Sequence, residues 1–199
     1  MLPLLLLVAD PEMTAIDAEN AFRRAPQAEG QWTAFRKFAT EDAIIFTPQP
    51  EKAQQVLPTK NPPIAIQWWP AESYISCDGS TAVNTGPWIR PEGSGYFTTV
   101  WHRQPDGDWK WSMDHGDDLA TPRALPERAV VRKARCPASA SIPAHEPCPY
   151  EKCGHGRSAD GTLHWDWAVL SDGSRSFDAE IWDGTNWTMV VSNRVAAAK

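Results

Sequence analysis

The chain lacks the features that would make several functions easy to recognise. No apolar run approaches the roughly 20 residues that span a bilayer. No cluster of lysine or arginine marks a nucleic-acid surface. With 19 basic and 25 acidic residues among 199, the net charge of −6 repels a polyanion. There is no Gly-x-Ser-x-Gly elbow and no supported Ser-His-Asp arrangement, which leaves out the common serine hydrolases. No glycine loop is shaped to cradle a phosphate, and no internal repeat is evident. What the chain does hold is tryptophan, eleven of them, in a length suited to one large domain or one domain with a small appendage.

Cysteine is scarce, at four residues. Cys136, Cys148 and Cys153 lie close together in a proline-rich stretch and are the disulfide candidates, while Cys77 is distant. Two disulfides, or one with a free thiol, fit an oxidising compartment, in any of three pairings. The rival use of Cys148, Cys153 and His155 as metal ligands follows a Cys-x4-Cys-x-His spacing that is no standard zinc motif. No metal and no cofactor is therefore expected. Met1 to Ala9, MLPLLLLVA, reads as the apolar part of a secretory signal with a cut after Ala9, although the usual positive start is missing. A buried N-terminal strand is the alternative reading. No cysteine follows to carry a lipid anchor. The expected location is periplasmic or secreted, with no membrane span.

The stretch from Gly95 to Asp118, GYFTTVWHRQPDGDWKWSMDHGDD, organises the rest. Tyr96, Thr98, Val100 and His102 alternate with Phe97, Thr99, Trp101 and Arg103, as a strand requires. Pro105-Asp106-Gly107 supplies a turn. On the return strand, strict alternation places Trp109, Trp111 and Met113 on one face, and Lys110, Ser112 and Asp114 on the other. Upstream, the pattern predicts a helix over Asp10–Arg24, with Met13, Ile16, Ala21 and Phe22 inward and Asp17 and Glu19 solvated. Pro26 and Gly30 break it, and a second helix carries Trp32, Phe35 and Phe38. Asp42–Thr47 is a strand, Glu51–Leu57 a helical turn or two, and Pro58–Pro63 a linker. Ala71–Cys77 and Thr81–Arg90 are strands about an Asp78-Gly79 turn. The fold class is α+β: a cone-shaped, curved antiparallel sheet packed on N-terminal helices. Residues 10–120 form this domain, and 121–160 is a Pro- and Cys-rich linker. Residues 161–195 form a three-stranded β meander, which has to cover the main domain or a partner subunit.

The segments WTAFRKFATEDAIIFTP and PWIRPEGSGYFTTVWHRQPDGDWKWSMDHGD resemble the nuclear-transport-factor-2-like superfamily. They are most similar to SnoaL-like domains of unknown function in exported bacterial proteins, those of sphingomonads among them. The resemblance covers roughly residues 12–118. It implies a cone with a central pocket, often dimeric, so a homodimer is an expected partner. It does not fix an activity, because the superfamily holds isomerases, dehydratases, cyclases, epoxide hydrolases and non-catalytic binders.

Relatives of the ketosteroid-isomerase and polyketide-cyclase type use a carboxylate or histidine in the cone as a base, beside a donor that steadies an enolate oxygen. Asp114, on the last core strand where such a base would stand, and His102, on the partner strand, are the catalytic candidates by position; neither is carried over from a catalytic position of the family. Trp68, Trp69, Tyr96, Trp101 and His115 are the ligand-binding candidates. Each also has a plain structural reading: Asp114 ordering a strand end, His102 at an edge, the Trp68-Trp69 pair in core or rim packing. The first functional reading is an exported binder of a small hydrophobic or aromatic molecule. The second is a cofactor-independent lyase, isomerase or hydrolase. The third is a protein-interaction module using the meander.

Overall fold

A computed structural model describes residues 13–137, 150 and 152–197. The expected signal segment and Cys148 lie outside the described residues. Thr14 opens α1 (Ala15–Phe22) with a reciprocal capping box: its hydroxyl accepts from the Asp17 backbone while the Asp17 carboxylate accepts from Thr14. Pro26 sits in the first turn of α2 (Ala25–Glu29), where its missing N–H is harmless, so it starts a short helix as well as ending the previous one. Then come α3 (Gln31–Phe38), β1 (Ala39–Phe46), β2 (Pro50–Lys52), α4 (Ala53–Val56), β3 (Gln67–Trp68), β4 (Glu72–Ile75), β5 (Thr81–Arg90), β6 (Gly93–Arg103) and β7 (Trp109–Leu119). The C-terminal part adds β8 (Val130–Lys133), β9 (Lys152–Arg157), β10 (Leu163–Val169), β11 (Arg175–Trp182) and β12 (Trp187–Val195).

The architecture is α+β with two sheets. The larger, curved sheet runs β2-β1-β7-β6-β5-β4-β8, with β3 paired on β5. It is mixed: β1 lies parallel to β7 and β8 parallel to β4, whereas an all-antiparallel sheet was expected. The β6–β7 hairpin turns where the sequence predicts, with Gly107 at φ +93°. The second sheet, β12-β11-β10-β9, has four strands and not three. Both extra strands, β8 and β9, fall within the stretch read as linker. Their sequences show why. All four residues of β8 are exposed at the sheet edge, so no burial period marks it. β9 reads Lys-Cys-Gly-His-Gly-Arg, poor in β-formers, and is specified by its partner. Gly154 and Gly156 lie opposite Trp167 and Trp165, and a Cβ at either would meet those indoles at 2.5–2.7 Å.

The two faces of the large sheet are covered differently. α1, α3 and α4 lie on one face over an aromatic core that includes Phe22, Phe35, Trp68, Trp101 and Trp111. The small sheet lies on the other, packing Leu163, Trp165, Phe177, Ala179 and Ile181 against Val83, Val100 and Met113. The meander therefore covers its own main sheet. A disulfide between Cys77 and Cys136, 59 residues apart, ties the turn after β4 to the chain after β8. It pairs one of the clustered candidates with the distant cysteine. Cys153 is disulfide-bonded too, and so offers no thiolate for a metal.

Candidate functional site

β7 contains the feature that builds the site. Trp109 faces Arg103 and Trp111 faces Trp101, but Met113 then faces Val100 and Asp114 faces Thr99. Ser112 is the extra residue of a bulge, and one extra residue reverses which side chains point to which face. Trp109 and Trp111 look toward the helices. Past the bulge, Asp114 takes that same helix side, and Met113 and His115 turn to the small sheet. The alternation expected from sequence is thereby corrected: Met113 does not share the face of the two tryptophans, and Asp114 does.

Asp114 opens into a cavity of about 660 Å³ on the helix side of the sheet. Phe22, Trp32, Phe35, Ile45 and Trp68 form the apolar part of its wall. Asp114 accepts a hydrogen bond from the Thr99 hydroxyl at 3.3 Å. Its accessible surface faces the cavity, and protein encloses it at longer range. This burial, with the negative charge of Glu19 adding to it and the Thr99 hydrogen bond opposing, pushes its carboxyl up to about 7.

Glu19 is the functional candidate that sequence reasoning missed. It was expected on a solvated helix face, yet it is fully buried together with Ala15, Ala18 and Phe22, the true inward stripe of α1. Met13, expected inward, is exposed. The Glu19 carboxylate accepts from the indole N–H of Trp68 and of Trp101, each at 2.7 Å, and from the Asn84 amide at 3.3 Å. Desolvation nonetheless dominates those hydrogen bonds and raises it to about 7. The available signal was its position: residues 15, 18, 19 and 22 follow the i, i+3, i+4, i+7 spacing of one helix face.

The other candidates divide. Trp68, Tyr96 and His115 line the cavity with Asp114. Trp101 is fully buried behind the wall, occupied with Glu19. Trp69 stands outside the main cavity, beside a smaller hollow with Arg23, Arg24 and Gln27. His102 points to the face of β6 opposite Asp114, where its Nδ1 lies 3.2 Å from the Thr81 hydroxyl; the sheet separates it from the carboxylate it was expected to assist. Its pKa is lowered by burial. His115 is likewise held neutral, pushed down to about 3 by burial and then by the charges of Arg175 and Arg123. Among the described residues no group of three or more potential metal ligands forms, and no helix is long and apolar enough to cross a membrane.

No family model matches the sequence, and no curated protein matches it. Two solved structures resemble the fold. A ketosteroid isomerase-like protein from Parabacteroides distasonis has 17% identity and a TM-score of 0.41, over 53% of this chain and 89% of its own. A nuclear transport factor 2-like superfamily protein from Salmonella enterica serovar Typhimurium has 15% identity and a TM-score of 0.40, over 57% of this chain and 93% of its own. The likeness is one of architecture alone.

Proposed function

We propose that this chain is an exported small-molecule-binding protein whose ligand occupies the helix-side cavity. The observation that carries this reading is the Asp114 carboxyl opening into a large hollow beside the aromatic wall of Phe22, Trp32, Phe35 and Trp68. Ligand sites combine an apolar wall with a few placed polar groups in this way. The aromatic wall suits a hydrophobic or aromatic body, and Asp114 reads a polar group on it. Disulfide bonding at Cys77, Cys136 and Cys153 suits an oxidising compartment. Native mass spectrometry of the protein purified from such a compartment tests the reading. Retained small molecules, lost on activation and reduced in Asp114→Asn, are expected. A bare protein mass that stays bare after incubation with aromatic probes contradicts it.

A second reading has its own observation. A carboxyl held near 7 exchanges protons readily at neutral pH. Asp114 then serves as the proton-transfer group of a cofactor-independent lyase, isomerase or hydrolase. That reading requires turnover that is abolished in Asp114→Asn with the fold intact. The interaction-module reading loses its contact face, because the apolar side of the meander is buried against the large sheet.

A further inference from the structure

β1 pairs with β7 only as far as Ile45 opposite Asp114. Beyond that point the edge of β7 separates from β1. Phe46, Thr47 and Pro48 line one side of the resulting gap, and His115, Gly116 and Asp117 the other. The cavity follows this gap to a polar end lined by Asp117, Asp118 and Arg175.

Arg175 closes that end. It is the first residue of β11, in phase with Phe177, Ala179 and Ile181, so its side chain enters the space between the sheets, and only 8% of it is exposed. One guanidinium nitrogen, Nη2, donates to the Gly116 carbonyl at 3.1 Å. Its Nε is buried without a partner, and among the described residues no carboxylate pairs with it within 4.0 Å. Asp117 lines the same end but forms no ion pair with it. Asp118 is engaged by Arg90 at 3.1 Å, with Glu92 on the same arginine. A second cation stands close by: the Arg123 guanidinium lies over the Tyr96 ring at 3.5 Å and donates to Asn193 at 2.7 Å. The Tyr96 hydroxyl and both ring nitrogens of His115 are also buried without partners.

A buried cation is stable only when an opposite charge or a full set of acceptors compensates it. Arg175 has one carbonyl. It lines the cavity read above as the ligand site, and a guanidinium matches a carboxylate with two parallel hydrogen bonds. We propose that the ligand is an amphipathic organic anion, an aromatic or alicyclic carboxylate. Its ring lies against the Phe22, Phe35 and Trp68 wall, and its carboxylate is held by Arg175 in the gap between β1 and β7. The inference rests on the cavity being the ligand site and adds the charge of what enters it. Asp114 lines the same cavity, and the burial that raises its carboxyl to about 7 lowers the negative charge such an anion meets there.

Isothermal titration of the full chain at pH 6.5 and low salt, with 2-naphthoate and its neutral counterpart 2-naphthamide, tests this. The wild type is expected to bind the carboxylate roughly tenfold or more tightly than the amide. Arg175→Gln is expected to lose that preference while still binding 2-naphthamide, and Arg175→Lys to keep only part of it. If the wild type binds both probes equally, Arg175 merely caps Gly116 and the inference falls while the cavity reading stands. The same holds if Arg175→Gln keeps the preference. If folded wild type binds neither probe, the cavity reading fails and takes the inference with it.

Discussion

The two faces of the eight-stranded sheet present opposite solutions to burial. On the small-sheet side, Phe177 and Leu163 are fully buried in a filled apolar layer, and the Cys77–Cys136 disulfide binds the same region. On the helix side, the aromatic rings stand around a hollow of about 660 Å³, with two carboxyl groups raised to about 7. A filled, crosslinked layer stabilises the chain. A hollow, and carboxyls buried beside it, weaken the chain. One sheet thus has a packed layer on one face and the mouth of a cavity on the other, joined at the β1–β7 gap where Arg175 reaches in from between the sheets, and a single bulge decides which face receives Asp114.

Substitutions separate the two faces. Phe177→Ala, in the filled layer, is expected to cost about 3–5 kcal/mol in chemical denaturation and to leave probe affinity unchanged. Phe35→Ala, on the cavity wall, is expected to cost nearer 2 kcal/mol, because its ring already lacks neighbours on one side, and to weaken binding of an aromatic probe. Equal stability losses with unaltered binding in both would break the comparison. Replacing Cys77 and Cys136 by serine is expected to cost about 4 kcal/mol, from the 59-residue separation in the chain-entropy model, again with affinity retained.

The carboxyls give the helix face a pH signature. Glu19 and Asp114 hold their protons more tightly folded than unfolded, so their contribution is greatest below the unfolded values near 4. It is lost as pH rises through the folded values near 7. Stability should therefore fall between about pH 4 and 7, by on the order of 3–4 kcal/mol for each carboxyl. Asp114→Asn should flatten that fall, and denaturation at pH 5 and at pH 8 reads the difference. A variant with the wild-type slope would remove Asp114 from the account. The smallest effect belongs to Thr99→Val: a loss of about 1 kcal/mol, with Asp114 moved further up because its one side-chain donor is gone.

Much of this was legible in the sequence. Alternation from Tyr96 to Arg103 gave both faces of β6 correctly, and the Pro-Asp-Gly turn is where it was expected. The α+β class follows from helices preceding strands. What was not legible has physical causes. Ser112 has ordinary chemistry for a strand, so nothing local announces a bulge there. Yet that one residue moves Asp114 into the cavity and Met113 out of it. Glu19 looked solvated because a lone carboxylate usually is, and the partners that satisfy it when buried, Trp68, Asn84 and Trp101, lie 49, 65 and 82 residues away. β9 has almost no intrinsic strand preference and exists because two tryptophans need glycine beneath them. Arg175 alternates with Phe177, Ala179 and Ile181 and so shares their inward face, but an arginine at the start of a strand is usually solvated, which hid its burial.

The most direct test is a pH titration of the Asp114 side-chain carboxyl by carbon-detected NMR, with and without 2-naphthamide. A midpoint near 7 that moves when the probe is added is expected of a carboxyl facing an occupied cavity. A midpoint near 4, unmoved by the probe, would show Asp114 to be an ordinary solvated carboxylate and would contradict the assignment of the site.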